Sequence, residues 1–135
     1  RRVLFQSYAA MNAVMQIEKE LGYTPRDVSM EKRGFDVESA VPEALREQNN
    51  GHALRFIEVK GRAKGATTVT VSKNEILYSL NSSDQFILAI VEVDGIDTHT
   101  IYLKAPFKNA PDFTATSVNY DIQDLIKESV ILYQK

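Results

Sequence analysis

Cysteine is absent from the 135 residues, so neither a disulfide nor a thiolate metal site can be built. Histidine is scarce: His52 and His99 stand alone and cannot make a zinc site between them. Strong charge is missing too, since 16 Lys and Arg against 18 Asp and Glu leave a net charge of -2. The overall field therefore does not draw the chain to nucleic acid, and any such binding must come from a local patch. Long apolar runs are lacking as well. The longest, Phe86 to Val91, is far too short to cross a bilayer. No charged-then-apolar leader opens the chain, and it starts "RRVLF" without a methionine. The expectation is a soluble, cytoplasmic piece of a longer polypeptide with no membrane contact. What is present is ordinary: 44% hydrophobic and 25% charged residues fit one domain with a single core.

Apolar side chains at Ala10, Val14, Ile17 and Leu21 predict a helix over residues 7–22, stopped by Gly22. "YTPRDVS" reads as a turn leading to a short extended piece, and "FDVES" at 35–39 as a strand. Residues 42–51 form a polar connection with room for one helical turn. A strand is expected over 53–61, and the β-branched "TTVTVS" predicts a third. "SKNE" at 72–75 is a capping box that starts a short helix running to about Leu80. "QFILAIVEV" at 85–93 is apolar on consecutive positions, as in a strand covered on both faces. Thr98 to Lys104 can pair antiparallel to it, and a last helix is expected from about Asp121 to Val130. The element order is that of an α/β sandwich with a mixed sheet.

Within "RFIEVKG", Phe56, Glu58 and Lys60 share one strand face, while Ile57 and Val59 share the other. Asp36 and Glu38 likewise alternate with Phe35 and Val37. If the two strands pair, Asp36 and Glu58 converge, and two adjacent carboxylates in a partly buried place repel. A divalent cation or a lysine offsets that cost. Magnesium suits the place, because it takes one or two carboxylates, keeps several waters and binds substrate phosphate. Lys60 could contact that phosphate or help orient and deprotonate a water. Gly34 and Gly61 flank the pair and would let backbone approach a ligand. Glu18 lies ~40° from Val14 on the helical wheel, inside the apolar stripe. Each feature has a plainer reading. Glu-x-Lys also occurs as a solvated strand face, Glu18 could pair with a nearby lysine, and Ser72 and Glu75 are explained by capping.

"GFDVES", then "RFIEVKG" and "TTVTVSKNE", resemble the PD-(D/E)xK nuclease superfamily. More narrowly, the chain resembles the domain at the C-terminus of the plant protein NO VEIN. That domain also ends many bacterial and archaeal helicase-like proteins, some of phage-defence type. The resemblance runs from about Ala13 to Val93, with "DVSMEKRGFDVES" and "FIEVKGRAKGATTVTVSKNEI" its most specific parts. "PFKNAPDFTATSVNYD" resembles the extension of the helicase-associated members. One departure is Phe35, which stands where a proline often precedes the acidic residue.

The resemblance implies a restriction-endonuclease-like fold over residues 1–135, with a core at about 7–93 and an extension at 94–135. It implies that Asp36 and Glu58 hold Mg2+ or Mn2+, with the Val59 carbonyl as a further ligand. Lys60 would be the catalytic lysine, and Glu18 a helix carboxylate supporting the site. Read from the residues alone, Arg62 and Lys64 form a small basic cluster just past Lys60 that would hold phosphate. Ser39, Ser72, Asn74 and Glu75 match family positions of no agreed role. The implied partners are DNA, less readily RNA, the helicase domain of a parent chain, and a second copy in a homodimer. Two rivals stand beside a nuclease: a non-cleaving nucleic-acid-binding module and a protein-interaction domain. Tyr102, Phe107, Phe113 and Tyr120 could stack bases or simply cover the sheet edge.

Overall fold

The computed structural model describes the backbone of residues 2–135 and side chains from residue 5 onward. Helix α1 (Arg2–Glu20) leads into β1 (Thr24–Asp27), β2 (Val37–Ala40) and β3 (Leu54–Ala63). Strand β4 (Thr68–Ser72) and helix α2 (Lys73–Asn81) follow, then β5 (Phe86–Asp94) and β6 (Asp97–Lys104). Strand β7 (Ser117–Asp121), helix α3 (Ile122–Glu128) and β8 (Val130–Gln134) complete the chain. Six strands form one sheet in the order β1-β2-β3-β5-β6-β8. Only β3 and β5 run parallel in it, so the sheet is mixed. Helices flank it on both faces, as the element order predicts.

Strand alternation explains the two cores. Ile57, Ile87, Ala89 and Val91 face α1, where Ala10, Val14 and Ile17 meet them. Phe86, Leu88, Ile90 and Leu103 face the opposite layer of β4, α2 and α3, through Val69, Val71, Ile76 and Leu125. Strand β5 is thus buried on both sides, as its consecutive apolar residues require. The capping box is present in full: Ser72 Oγ accepts from Glu75 N at 3.1 Å, and Glu75 Oε1 accepts from Ser72 N at 2.9 Å.

Several expectations are corrected. "TTVTVS" does form a strand, but it pairs with β7 in a separate two-stranded sheet. Ser72 is both its last residue and the cap of α2, which keeps β4 in the α2 layer. The last helix is shorter than expected, because residues from Val130 turn into β8, which pairs with β6. Tyr133 of β8 packs on Tyr102 with ring centroids 5.3 Å apart, apolar contact that a continued helix would forgo. The polar connection holds two short 3-10 turns, at Glu43–Leu45 and Glu47–Asn49. Leu21 lies past the helix end and stays exposed. Among the described residues, no helix is long and apolar enough to cross a membrane.

Candidate active site

The site arises where β2 begins and β3 carries on. The antiparallel pairing starts at Val37 opposite Ile57, which leaves Asp36 one step outside the ladder and level with Glu58. Its backbone N–H donates to Ile57 O at 2.9 Å, and its carboxylate Oδ2 accepts from Val59 N at 2.9 Å. N–H and C=O of one strand residue point to the same side. The Val59 carbonyl therefore faces the notch left beyond β2, beside both carboxylates.

Glu58 is only 3% exposed, which overturns the solvated-surface reading of Glu-x-Lys. Its Oε2 lies 3.2 Å from Lys60 Nζ, and Lys60 Nζ also lies 2.9 Å from Glu75 Oε1. Three carboxylates, from Asp36, Glu58 and Glu75, thus gather around one ammonium. Burial pushes Glu58 up to about 10, aided by the neighbouring charges of Asp36 and Glu75. Burial also raises Asp36, against the pull of its hydrogen bond from Val59. For Lys60, burial would lower the value, but the adjoining carboxyl groups outweigh it and raise it, ionised Glu75 among them. Glu75 goes the other way: burial opposes ionisation, yet Lys60 and the Ser72 N–H hold it below the usual carboxylate range. The cluster therefore holds a surplus of buried negative charge, relieved here by a proton on Glu58.

Two cavities reach the pair. One of about 730 Å³ lies against α1 and is lined by Asp36, Glu58 and Val59 with Tyr8, Asn12 and Lys19. The other, of about 250 Å³, lies toward α2 and joins Asp36 and Glu58 to Lys32, Asn74 and Glu75. Among the described residues, no group of three His, Cys, Asp or Glu is arranged to hold a metal. Two carboxylates and the Val59 carbonyl nevertheless offer hard oxygen donors, and the surplus of negative charge fits a divalent cation that retains waters.

Asp36, Glu58, Val59 and Lys60 thus come together as the sequence suggests. Glu18 does not join them. It is fully buried, as its place in the stripe predicts, but on the opposite face of β3. There Arg55 grips both its oxygens, at 3.1 and 3.2 Å, and Tyr102 donates to it at 2.9 Å. Arg62 and Lys64 also stay away from both cavities. Arg62 lines a different one, and Lys64 lies exposed, 3.4 Å from Asp94.

Gly61 and Gly34 line the two cavities, one each, and both are also required by packing. A Cβ on Gly61 would come within 2.7 Å of Gln6 O, because α1 crosses β3 there. Gly34 adopts φ +94° with Tyr78 Cβ 3.1 Å from where its own Cβ would be. Of the four aromatics, Tyr102 and Phe107 are buried and Tyr120 packs on Phe107, whereas Phe113 is exposed. Sequence reasoning undervalued Glu75. Besides capping α2 it contacts Lys60 at 2.9 Å, a pairing across the fold that no local pattern marks.

A family model described as Protein NO VEIN, C-terminal matches residues 7–103. No curated protein matches the chain, and no solved structure does. The matched span takes in α1 from Ser7 onward, the whole site and the strands that hold it. The chain belongs to the family of NO VEIN C-terminal domains.

Proposed function

We propose that this domain is a metal-dependent nuclease of PD-(D/E)xK type that hydrolyses phosphodiester bonds of DNA. The observation that carries the reading is the convergence of Asp36, buried Glu58 and Lys60 in one notch where β2 begins beside β3. Asp36, Glu58 and the Val59 carbonyl would hold Mg2+ or Mn2+, which supplies Lewis acidity to a water and to phosphate oxygen. Binding there requires Glu58 to release its proton. Lys60 then presents its ammonium to the charge that develops on phosphorus, and Glu75, fixed by the capping box, keeps it in position. Lys19 and Lys32, at the two cavities, are the nearby cations available to flanking phosphates. Within a longer protein the domain would work beside a helicase that separates strands.

The test is cleavage of single-stranded, duplex and branched DNA with magnesium or manganese. Asp36→Ala and Lys60→Ala are each expected to lower the rate by about 100-fold or more. Cleavage that survives both substitutions removes the assignment. One observation favours a second reading, a module that binds nucleic acid without cutting it: Lys60 is already engaged by the carboxyl groups of both Glu58 and Glu75. Salt-dependent DNA affinity with no turnover under any metal supports that alternative.

A further inference from the structure

The flank of α1 beside the carboxylates carries apolar groups that cleavage itself does not need. At 100° per residue, Ser7, Met11 and Met15 follow one another down the side of the helix next to its buried stripe. Tyr8, Asn12 and Lys19 form the rim above them. These six residues line the cavity of about 730 Å³, which also meets Asp27 and Ser29 before reaching Asp36, Glu58 and Val59. Gly61 sets how near this wall stands to the site. Its close approach to Gln6 makes α1 cross β3 three residues past Glu58, ~10 Å along the strand. Tyr8 is 65% exposed, and Phe5, one turn earlier, is 55% exposed. Among the described residues, Tyr8 stacks on no other ring and Lys19 makes no ion pair.

The mixture of groups selects the occupant. One ring and two thioethers offer a flat, polarisable surface that suits the face of a nucleobase. Phosphates do not suit the interior, because Asp27 and Asp36 repel them. They belong at the rim beside Lys19, and at a cation between Asp36 and Glu58. A strand laid this way points its bases inward and its backbone outward. Unpaired DNA can do so, whereas a duplex keeps its base faces stacked on one another. The volume lies within the range of ligand pockets and is far too small for a double helix.

We infer that this groove is a subsite for unpaired DNA, in which Tyr8 stacks on a base flanking the phosphate held at Asp36 and Glu58. Met11 and Met15 pack beside that base. Lys19, ~16 Å along α1 from Tyr8, meets a phosphate further along the strand. The inference rests on the nuclease reading for the position of the first phosphate. It names the substrate class: a single strand, or the unpaired arm of a branched one.

Tryptophan is absent from the chain, so Tyr8→Trp introduces a single indole whose emission reports stacking. With calcium in place of magnesium, a short unpaired DNA oligonucleotide is expected to quench that emission saturably. A blunt duplex of the same sequence, and an abasic strand of the same length and charge, should each bind about 10-fold more weakly. Tyr8→Ala, followed by the anisotropy of a labelled strand, is expected to lose about 10-fold or more in affinity, with Tyr8→Phe close to the parent. Thermal unfolding should barely move in either variant, because the side chain is mostly exposed. Cleavage of the same strands with magnesium separates this inference from the reading it rests on. Binding that depends on Tyr8 without any cleavage supports the subsite and removes the nuclease. Cleavage whose kcat/KM is unchanged in Tyr8→Ala removes the subsite and leaves the nuclease standing. The inference is also overturned by an absence of saturable quenching, by equal binding of the duplex or the abasic strand, or by a lysine-rich peptide that quenches in preference to DNA.

Discussion

Replacing Glu58 with Gln should stabilise the metal-free protein. Burial and two neighbouring carboxylates push Glu58 from 4.5 up to about 10. At neutral pH the unfolded chain ionises this group, whereas the folded protein holds it protonated. Folding then takes up a proton, so stability conferred by the group is complete below 4.5 and is lost as pH rises toward 10. Each pH unit in that window costs about 1.4 kcal/mol, which comes to about 3 kcal/mol by pH 7. Gln keeps the shape and carries no charge. The expected result, from urea denaturation in the presence of a chelator, is a variant more stable than the parent by up to about 3 kcal/mol at pH 7. The gap should shrink toward zero near pH 4.5 and widen above neutrality. Asp36 and Glu75 contribute their own slopes to both proteins, and these largely cancel in the difference. Excess magnesium should stabilise the parent and leave the variant unmoved, since a ligand stabilises only the state that binds it. A variant of equal stability at every pH, or one less stable at pH 7, refutes the reasoning.

Gly61→Ala is expected to cost about 1–3 kcal/mol, read by thermal unfolding, because its Cβ would press on the Gln6 carbonyl within 2.7 Å. Arg55→Ala leaves fully buried Glu18 without its cation and should destabilise by about 3–5 kcal/mol, whereas Tyr102→Phe should cost about 1–3. Ser72→Ala should lower stability by about 1 kcal/mol through loss of the cap. Glu75→Gln keeps the capping box but loses the ion pair to Lys60, so it should lower stability at neutral pH, read by urea denaturation, and reduce cleavage through the loss of Lys60's partner.

The local features were legible because each depends on a short window. Period-two alternation in "RFIEVKG" places Glu58 and Lys60 on one face whatever surrounds the strand. "SKNE" marks the start of α2, because a capping box is complete within four residues. Consecutive apolar residues in β5 announce a strand with two covered faces. Pairing partners were not legible. A β-branched segment states that it is a strand but not which strand it joins, so the pairing of β4 with β7 could not be read from it. "VILYQ" follows a helix directly, and only its contact with β6 makes it a strand. The helical stripe foretold the burial of Glu18. Its partners, 37 and 84 residues away, could not be read from a stripe. Arg62 and Lys64 follow Lys60 in sequence, but extended backbone carries them away from the notch within a few residues.

The account rests on Asp36 and Glu58 forming a cation site where β2 begins and β3 continues. A crystal of the domain soaked in manganese, with diffraction data collected for anomalous signal, tests this most directly. The prediction is one strong anomalous peak between the two carboxylates, in contact with the Val59 carbonyl and lost in Asp36→Ala. A soaked crystal with manganese bound only elsewhere, or with nothing between these groups, contradicts it.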